Sequence, residues 1–191
     1  LASCCRRGFR VMIDPTDQGT YVRLDALRVG VVDDSAYFRK LAETMLGAFG
    51  VRVILQAATE AEALTMVMTQ SPDVLLLDWN LGTAGNGAAL LDLLRRHPDE
   101  RVSTLAVVMV TAYADKRRML AAVELGANDV LVKPLSARRL YERLAELSSA
   151  RQLYARRGNR LVPAVPPAKV IHDGPSEIIH VRSPLRGKTI R

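Results

Sequence analysis

Cysteine is almost missing from this chain: Cys4 and Cys5 are the only two in 191 residues. Neighbouring residues do not readily bridge each other, and no third thiol offers a partner. No disulfide framework can form, which fits a reducing, cytoplasmic setting. Aromatic residues are scarce at 5%, which argues against a surface that stacks nucleic-acid bases. No run approaches the roughly 18 consecutive apolar residues of a membrane span, so no membrane role is expected. A charge excess is also missing from most of the chain. Residues 1–150 carry 18 Lys/Arg and 18 Asp/Glu, so the whole net charge of +7 falls in residues 151–191. The basicity belongs to an appendage and is weak reason to read the body as a nucleic-acid binder.

What is present is an ordinary globular composition, 49% apolar and 25% charged. The length suits one domain with extensions. Residues 1–27 show turn signals, Asp14-Pro15 and Gln18-Gly19, but no sustained period, and read as a loose N-terminal arm. From Arg28 to about Ser148 five short apolar runs alternate with five helical patterns. The runs are Arg28–Val32, Val51–Leu55, Val74–Leu77, Leu105–Val110 and Val130–Val132. Ser35, Thr59 and Ser136 stand at helix-start positions, and Gly50 and Gly126 at helix stops. Strands apolar at every position are buried on both faces, as in a parallel sheet covered by helices. With right-handed crossovers the expectation is an α/β, doubly wound five-stranded parallel sheet with five helices. In such sheets the site lies beyond the carboxyl ends of the strands.

Those ends form a short list. The first strand gives Asp33 and Asp34, the third Asp78, the fourth Thr111 and the fifth Lys133. Three clustered carboxylates repel and raise one another's pKa unless a cation is shared. All-oxygen ligands suit a hard ion such as Mg²⁺. A carboxylate can also act as nucleophile and accept a phosphoryl group, with a lysine and a hydroxyl neutralising and orienting it.

Four segments carry a resemblance: Val31-Val32-Asp33-Asp34-Ser35, Leu75-Leu76-Leu77-Asp78-Trp79-Asn80-Leu81, Val110-Thr111-Ala112 and Val132-Lys133-Pro134. In this order, at these strand ends, the chain resembles the CheY-like receiver domain of bacterial two-component response regulators. The resemblance implies the strand order 2-1-3-4-5. It implies Asp78 as phospho-acceptor, with Mg²⁺ held by Asp33, Asp34, Asp78 and the backbone carbonyl of Asn80. It further implies that Lys133 contacts the phosphoryl group and that the peptide before Pro134 is cis. Thr111 would swing toward the phosphoryl oxygen, and small Ala112 would leave the approach to Asp78 open. Three positions depart from the family pattern. Gly82 stands where a proline is common, and the loop Gly82–Gly87 is about one residue longer, hence more mobile. Val130 occupies the place of an aromatic switch, with Tyr113 as the nearby ring that could substitute.

Other residues take plainer readings. Trp79 is a ring beside the site. His97 marks a helix end, and Met66, Met68 and Met119 belong to the core or an interface. Arg95-Arg96 and Lys116-Arg117-Arg118 read as solvated helix faces, the latter with a partner contact as runner-up. Residues 149–191 form a basic, Pro-rich extension, read first as mostly flexible, with a partner-docking segment and then nucleic-acid contact as runners-up. Arg151–Arg160 reads as a continuation of the last helix, and a hairpin is expected around Asp173-Gly174-Pro175-Ser176. Cutting after residue 150 is expected to remove no core residue. Val170-Ile171 and Ile178-Ile179 are apolar pairs suited to a protein partner.

The expected function is a stand-alone phospho-accepting receiver, not an enzyme beyond weak self-dephosphorylation. It would take the phosphoryl group from a histidine kinase or phosphotransfer protein and signal to a downstream protein by contact, with a homodimer left open. The alternative is a receiver that gates nucleic-acid binding by the basic tail. A phosphohydrolase with an Asp nucleophile is disfavoured, because such enzymes place Asp-x-Asp after the first strand.

Overall fold

The computed structural model describes residues 11–13, 20–22, 24–112, 115–149 and 152–164. In chain order the strands are β1 (Val11–Ile13), β2 (Thr20–Val22), β3 (Arg28–Val32), β4 (Val53–Ala57), β5 (Val74–Asp78), β6 (Ala106–Thr111), β7 (Asp129–Val132), β8 (Tyr154–Arg157) and β9 (Arg160–Pro163). The helices are α1 (Ala36–Ala48), α2 (Glu60–Gln70), α3 (Gly87–Arg96), α4 (Glu100–Ser103), α5 (Lys116–Leu125) and α6 (Ala137–Ser149), with one 3-10 turn at Gly82–Ala84.

Five strands pair in parallel in the order β4-β3-β5-β6-β7, which is 2-1-3-4-5 within the sheet. The period-2 alternation of side chains divides the core in two. Leu75, Leu77, Val107, Met109 and Val130 face α2, α3 and α5. Val29, Val31, Leu76, Val108, Val110 and Leu131 face α1 and α6. This double burial is why the inner strands β3, β5 and β6 are almost entirely apolar. The parallel direction brings the polar residues at the ends of β3, β5, β6 and β7 to one rim. Ser35, Thr59, Asn86 and Asp115 cap the N-termini of α1, α2, α3 and α5 through side-chain oxygens.

Four elements and one side chain differ from expectation. Six α-helices form, not five, because Asp99 accepts from Arg101 N and caps one extra turn, α4. The second strand starts two residues later than Val51, at Val53. The N-terminal stretch is structured at its end: β1 and β2 pair antiparallel, and Leu24 and Leu27, 1% and 2% exposed, pack into the α1–α6 side of the core. Finally, residues 154–163 are a hairpin and not more helix. Gly158, at φ +58°, makes the turn that Asn159 completes, and β8 pairs with β9. Val162 is buried and Arg160 pairs with Asp92 of α3, so a cut after residue 150 does remove core. The apolar pairs Val170-Ile171 and Ile178-Ile179 and the hairpin expected at 173–176 lie outside the described residues.

Arg95 is the clearest correction. Expected on a solvated face, it is 1% exposed. Its Nε donates to Gly126 O (2.8 Å), its Nη1 to Ser103 O (3.1 Å) and Leu105 O (2.8 Å), and its Nη2 to Asn128 Oδ1 (2.9 Å). Gly126 caps the C-terminus of α5, where helix carbonyls carry partial negative charge. The ring of Tyr154, from β8, lies 5.4 Å from the guanidinium carbon. Burial lowers the Arg95 pKa to about 10, which leaves it charged at neutral pH.

Candidate functional site

Each acidic side chain is fixed by the strand that precedes it. Asp33 follows β3, and its Oδ1 accepts from Ser35 N (2.9 Å), which turns the chain into α1. Arg39, one turn into α1, donates from Nη1 to Asp33 O (2.7 Å) and Asp34 O (3.3 Å). Asp78 ends β5 opposite Val110, and Trp79 N donates to Val110 O (2.8 Å). Lys133 follows β7, and its N donates to Thr111 O (2.8 Å). The Lys133–Pro134 peptide is cis.

These anchors bring four charged groups together. Carboxylate oxygens of Asp33, Asp34 and Asp78 lie within 4.8 Å of one another. Lys133 Nζ donates to Asp33 Oδ2 (2.6 Å) and lies 3.2 Å from Asp78 Oδ2. It also sits 4.2 Å above the centre of the Phe38 ring, which holds the ammonium by cation–π attraction. Asp33 is fully buried, Asp78 is 8% exposed, and Asp34 opens to solvent. Burial pushes the Asp78 carboxyl above its ordinary value. The Asp33 charge adds to that rise, and Lys133 opposes it.

Three carboxylates against one ammonium leave the cluster with a formal surplus of two negative charges. The donor set is all oxygen and one member faces solvent. This combination fits a hard divalent cation such as Mg²⁺, which keeps several waters and takes few protein ligands. The loop beyond Asp78 closes tightly around the cluster. A Cβ at Gly82, which has φ +59°, would stand 2.7 Å from Asp34 Oδ2. Glu60 at the start of α2 receives Asn86 N (3.4 Å). Gly87, at the start of α3, has no room at all: a Cβ there would lie 1.9 Å from Asp78 O.

The other residues singled out in the sequence take varied places. Thr111 is buried at the end of β6, one strand from Asp78, and Ala112 is exposed beside it. Asn80 is exposed, its Oδ1 accepts from Gly82 N (3.3 Å), and it bridges Asn86. Val130 is 4% exposed and packs in the α3 side of the core. Tyr113 lies outside the described residues. Sequence reasoning missed Phe38, Arg39 and Gly87 as parts of the site. The signals were present: Phe38 and Arg39 fall in the first turn of a helix that starts at the acidic pair. Gly87 is the first residue of the helix behind Asp78.

Comparison with known proteins agrees with this arrangement. Residues 29–145 match the family described as the response regulator receiver domain. The chemotaxis protein CheY of Pseudomonas aeruginosa is 32% identical over 122 residues, which are 63% of this chain and 95% of that protein. The phosphate regulon transcriptional regulatory protein PhoB of the same organism is 34% identical over 116 residues, covering 60% of this chain but 48% of PhoB. A crystal structure from Chloroflexus aurantiacus, ascribed to a response regulator, superposes with a TM-score of 0.60 at 31% identity. That match covers 65% of this chain and 98% of the other. The sheet order, the acidic rim and these likenesses together show that the chain belongs to the response regulator receiver domain family, with a CheY-like fold.

Proposed function

We propose that Asp78 is the phospho-acceptor of this receiver and that Asp33, Asp34, Asp78 and the Asn80 carbonyl hold Mg²⁺ beside it. The observation that carries the reading is the single ammonium of Lys133 between two buried carboxylates, with a third at the mouth. Asp33 is fully buried and bound to Lys133 and Ser35 N, so it cannot reach a donor. Asp78 keeps 10% of its side chain exposed, against 1% for Asp33, and is the nucleophile. One Asp78 oxygen attacks the phosphorus of a phosphohistidine or small phosphodonor. The bond from phosphorus to its leaving nitrogen or oxygen breaks, and the acceptor becomes an acyl phosphate. Lys133 stands within reach of the incoming phosphoryl oxygens and offsets their charge. When bound, Mg²⁺ supplies further neutralisation of the transferring group. Thr111 supplies a hydroxyl at the adjacent strand end.

A histidine kinase or phosphotransfer protein is the donor, and the output is a contact with a downstream protein in the cytoplasm. No described helix is long and apolar enough to cross a membrane. A second reading has support from charge: Arg156 and Arg157 are exposed on β8, so nucleic-acid binding gated by the receiver is a competing output. It requires affinity that falls steeply with salt. The test of the main reading is labelling by a small phosphodonor with Mg²⁺. Wild type is expected to take up one phosphoryl group and Asp78→Asn none, with an unchanged fold by circular dichroism. Stoichiometric labelling of Asp78→Asn would overturn the assignment.

A further inference from the structure

The hairpin and the acidic rim are joined by one element. At its N-terminus α3 is in contact with the acceptor strand. Gly87 N donates to Trp79 O (3.0 Å), and the space at Gly87 is so closed that a Cβ would strike Asp78 O. At its C-terminus the same helix holds the hairpin. Asp92 pairs with Arg160 of β9 and with Arg96 (2.8 Å). Arg95 lies against the Tyr154 ring of β8. Asn128 Nδ2 donates to the Tyr154 hydroxyl (2.9 Å), which in turn donates to Leu105 O (3.4 Å). A Cβ at Gly126 would stand 3.0 Å from Val162 Cγ1.

α6 and the hairpin lie on opposite sides of the sheet. α6 packs with α1, while the hairpin packs on α3. After the last receiver helix the chain is therefore fastened, at 154–163, to the helix that starts at the acceptor.

We propose that Arg95, Tyr154 and the Asp92–Arg160 pair latch the C-terminal hairpin to the receiver, and that α3 couples this latch to phosphorylation at Asp78. The inference rests on Asp78 being the acceptor. Neither end of α3 has slack. A shift of the Asp78–Trp79 backbone on phosphorylation moves Gly87. Close-packed interiors transmit such displacement rather than absorb it. The far end then shifts Arg95, whose hydrogen bonds to Gly126, Ser103, Leu105 and Asn128 all go to neutral oxygens. The latch thus converts the state of the rim into the hold on the hairpin. Linkage makes the coupling reciprocal: a loosened hairpin must alter the affinity of the rim for a phosphoryl group by the same factor.

The experiment uses the full chain with beryllofluoride and Mg²⁺, a phosphoryl mimic that binds at equilibrium. Hydrogen exchange is followed at the 154–162 amides, and phosphodonor labelling of Asp78 is measured in parallel. Adduct formation is expected to change hairpin exchange by roughly fivefold or more, the low end of typical site-to-site coupling, and Asp78→Asn is expected to show no change. Tyr154→Ala is expected to shift beryllofluoride affinity by the same factor. Arg160→Gln serves the same purpose if Tyr154→Ala does not fold. Unchanged hairpin exchange in a protein that forms the adduct overturns the coupling while Asp78 stands as the acceptor. Absence of both adduct and labelling overturns the acceptor reading and the coupling with it.

Discussion

At the rim, one ammonium faces three carboxylates. Lys133 bonds to Asp33 and lies beside Asp78, and both carboxylates are buried. Removing one partner from a buried pair usually costs about 3–5 kcal/mol. Lys133 is 21% exposed, so Lys133→Met should destabilise by roughly the lower figure of that range. The loss should depend on pH. Asp78 already sits above its ordinary value through burial, and without Lys133 it rises further. A carboxyl raised in the folded state supports folding in its protonated form. That support is full at low pH and lost as pH rises through the folded value. Urea unfolding should therefore show a large deficit at neutral pH and a small one in acid; an equal deficit at both would contradict the electrostatic account. At this scale the sequence was most legible, because the strand-end rule selects Asp33, Asp34, Asp78 and Lys133 without any contact information. Phe38 escaped because an aromatic on a helix face is indistinguishable from core until the ammonium is placed above it. Arg95 escaped because the carbonyls that receive it come from residues 103, 105 and 126, far from it in sequence.

At the scale of elements, α3 and α6 are held by different means, and a substitution tests each. Gly87→Ala would raise the helix propensity of α3 by about 1 kcal/mol. The added Cβ would lie 1.9 Å from Asp78 O, a backbone atom that cannot rotate away. Overpacking of this kind costs roughly 1–3 kcal/mol, so the clash wins and the variant should be less stable. Phosphodonor labelling should fall as well, because the yielding group is the backbone of the proposed acceptor. On the other side of the sheet, Asp129 of β7 accepts Arg143 Nε of α6 at 2.8 Å. Burial pushes the Asp129 carboxyl up to about 6, against the pull of Arg143. Its folded value exceeds the ordinary 3.8, so its contribution to stability is full below that value and is lost as pH rises through about 6. Asp129→Asn should flatten the stability profile between those limits. Arg143 keeps Glu146 as a partner at 2.6 Å, so the substitution strands no cation. Thermal unfolding across that window is the check, and an unchanged slope would assign it to other groups.

The whole molecule extends past the receiver pattern at both ends of the described chain. The alternation of strands and helices was readable because the inner strands β3, β5 and β6 are buried on two faces, which leaves a nearly uninterrupted apolar signature. Leu24, Leu27 and the hairpin were not readable for the opposite reason. Each contributes isolated buried residues among polar ones, and only the surface they cover gives them meaning. Tyr154 and Val162 lie in a stretch whose local signal is its arginines, and Arg160 counts as tail charge until Asp92 neutralises it. This sets a prediction for the C-terminal boundary. A chain ending at 150 loses the burial of Val162, the Tyr154 ring over Arg95 and one of the two partners of Asp92, Arg160. Burying a valine side chain is worth about 1.5 kcal/mol or more, and a desolvated cation–π contact adds up to about 2. The truncated receiver should therefore fold, because its sheet and six helices are intact, but with stability lower by on the order of 3 kcal/mol. A chain ending at 164 keeps every one of these contacts and should match the full-length protein. Urea midpoints for the three lengths decide the matter. Equal midpoints for 1–150 and 1–164 would show that the hairpin rests on the receiver without stabilising it. A drop confined to 1–150 would place the structural end of this receiver at the hairpin and not at its last helix.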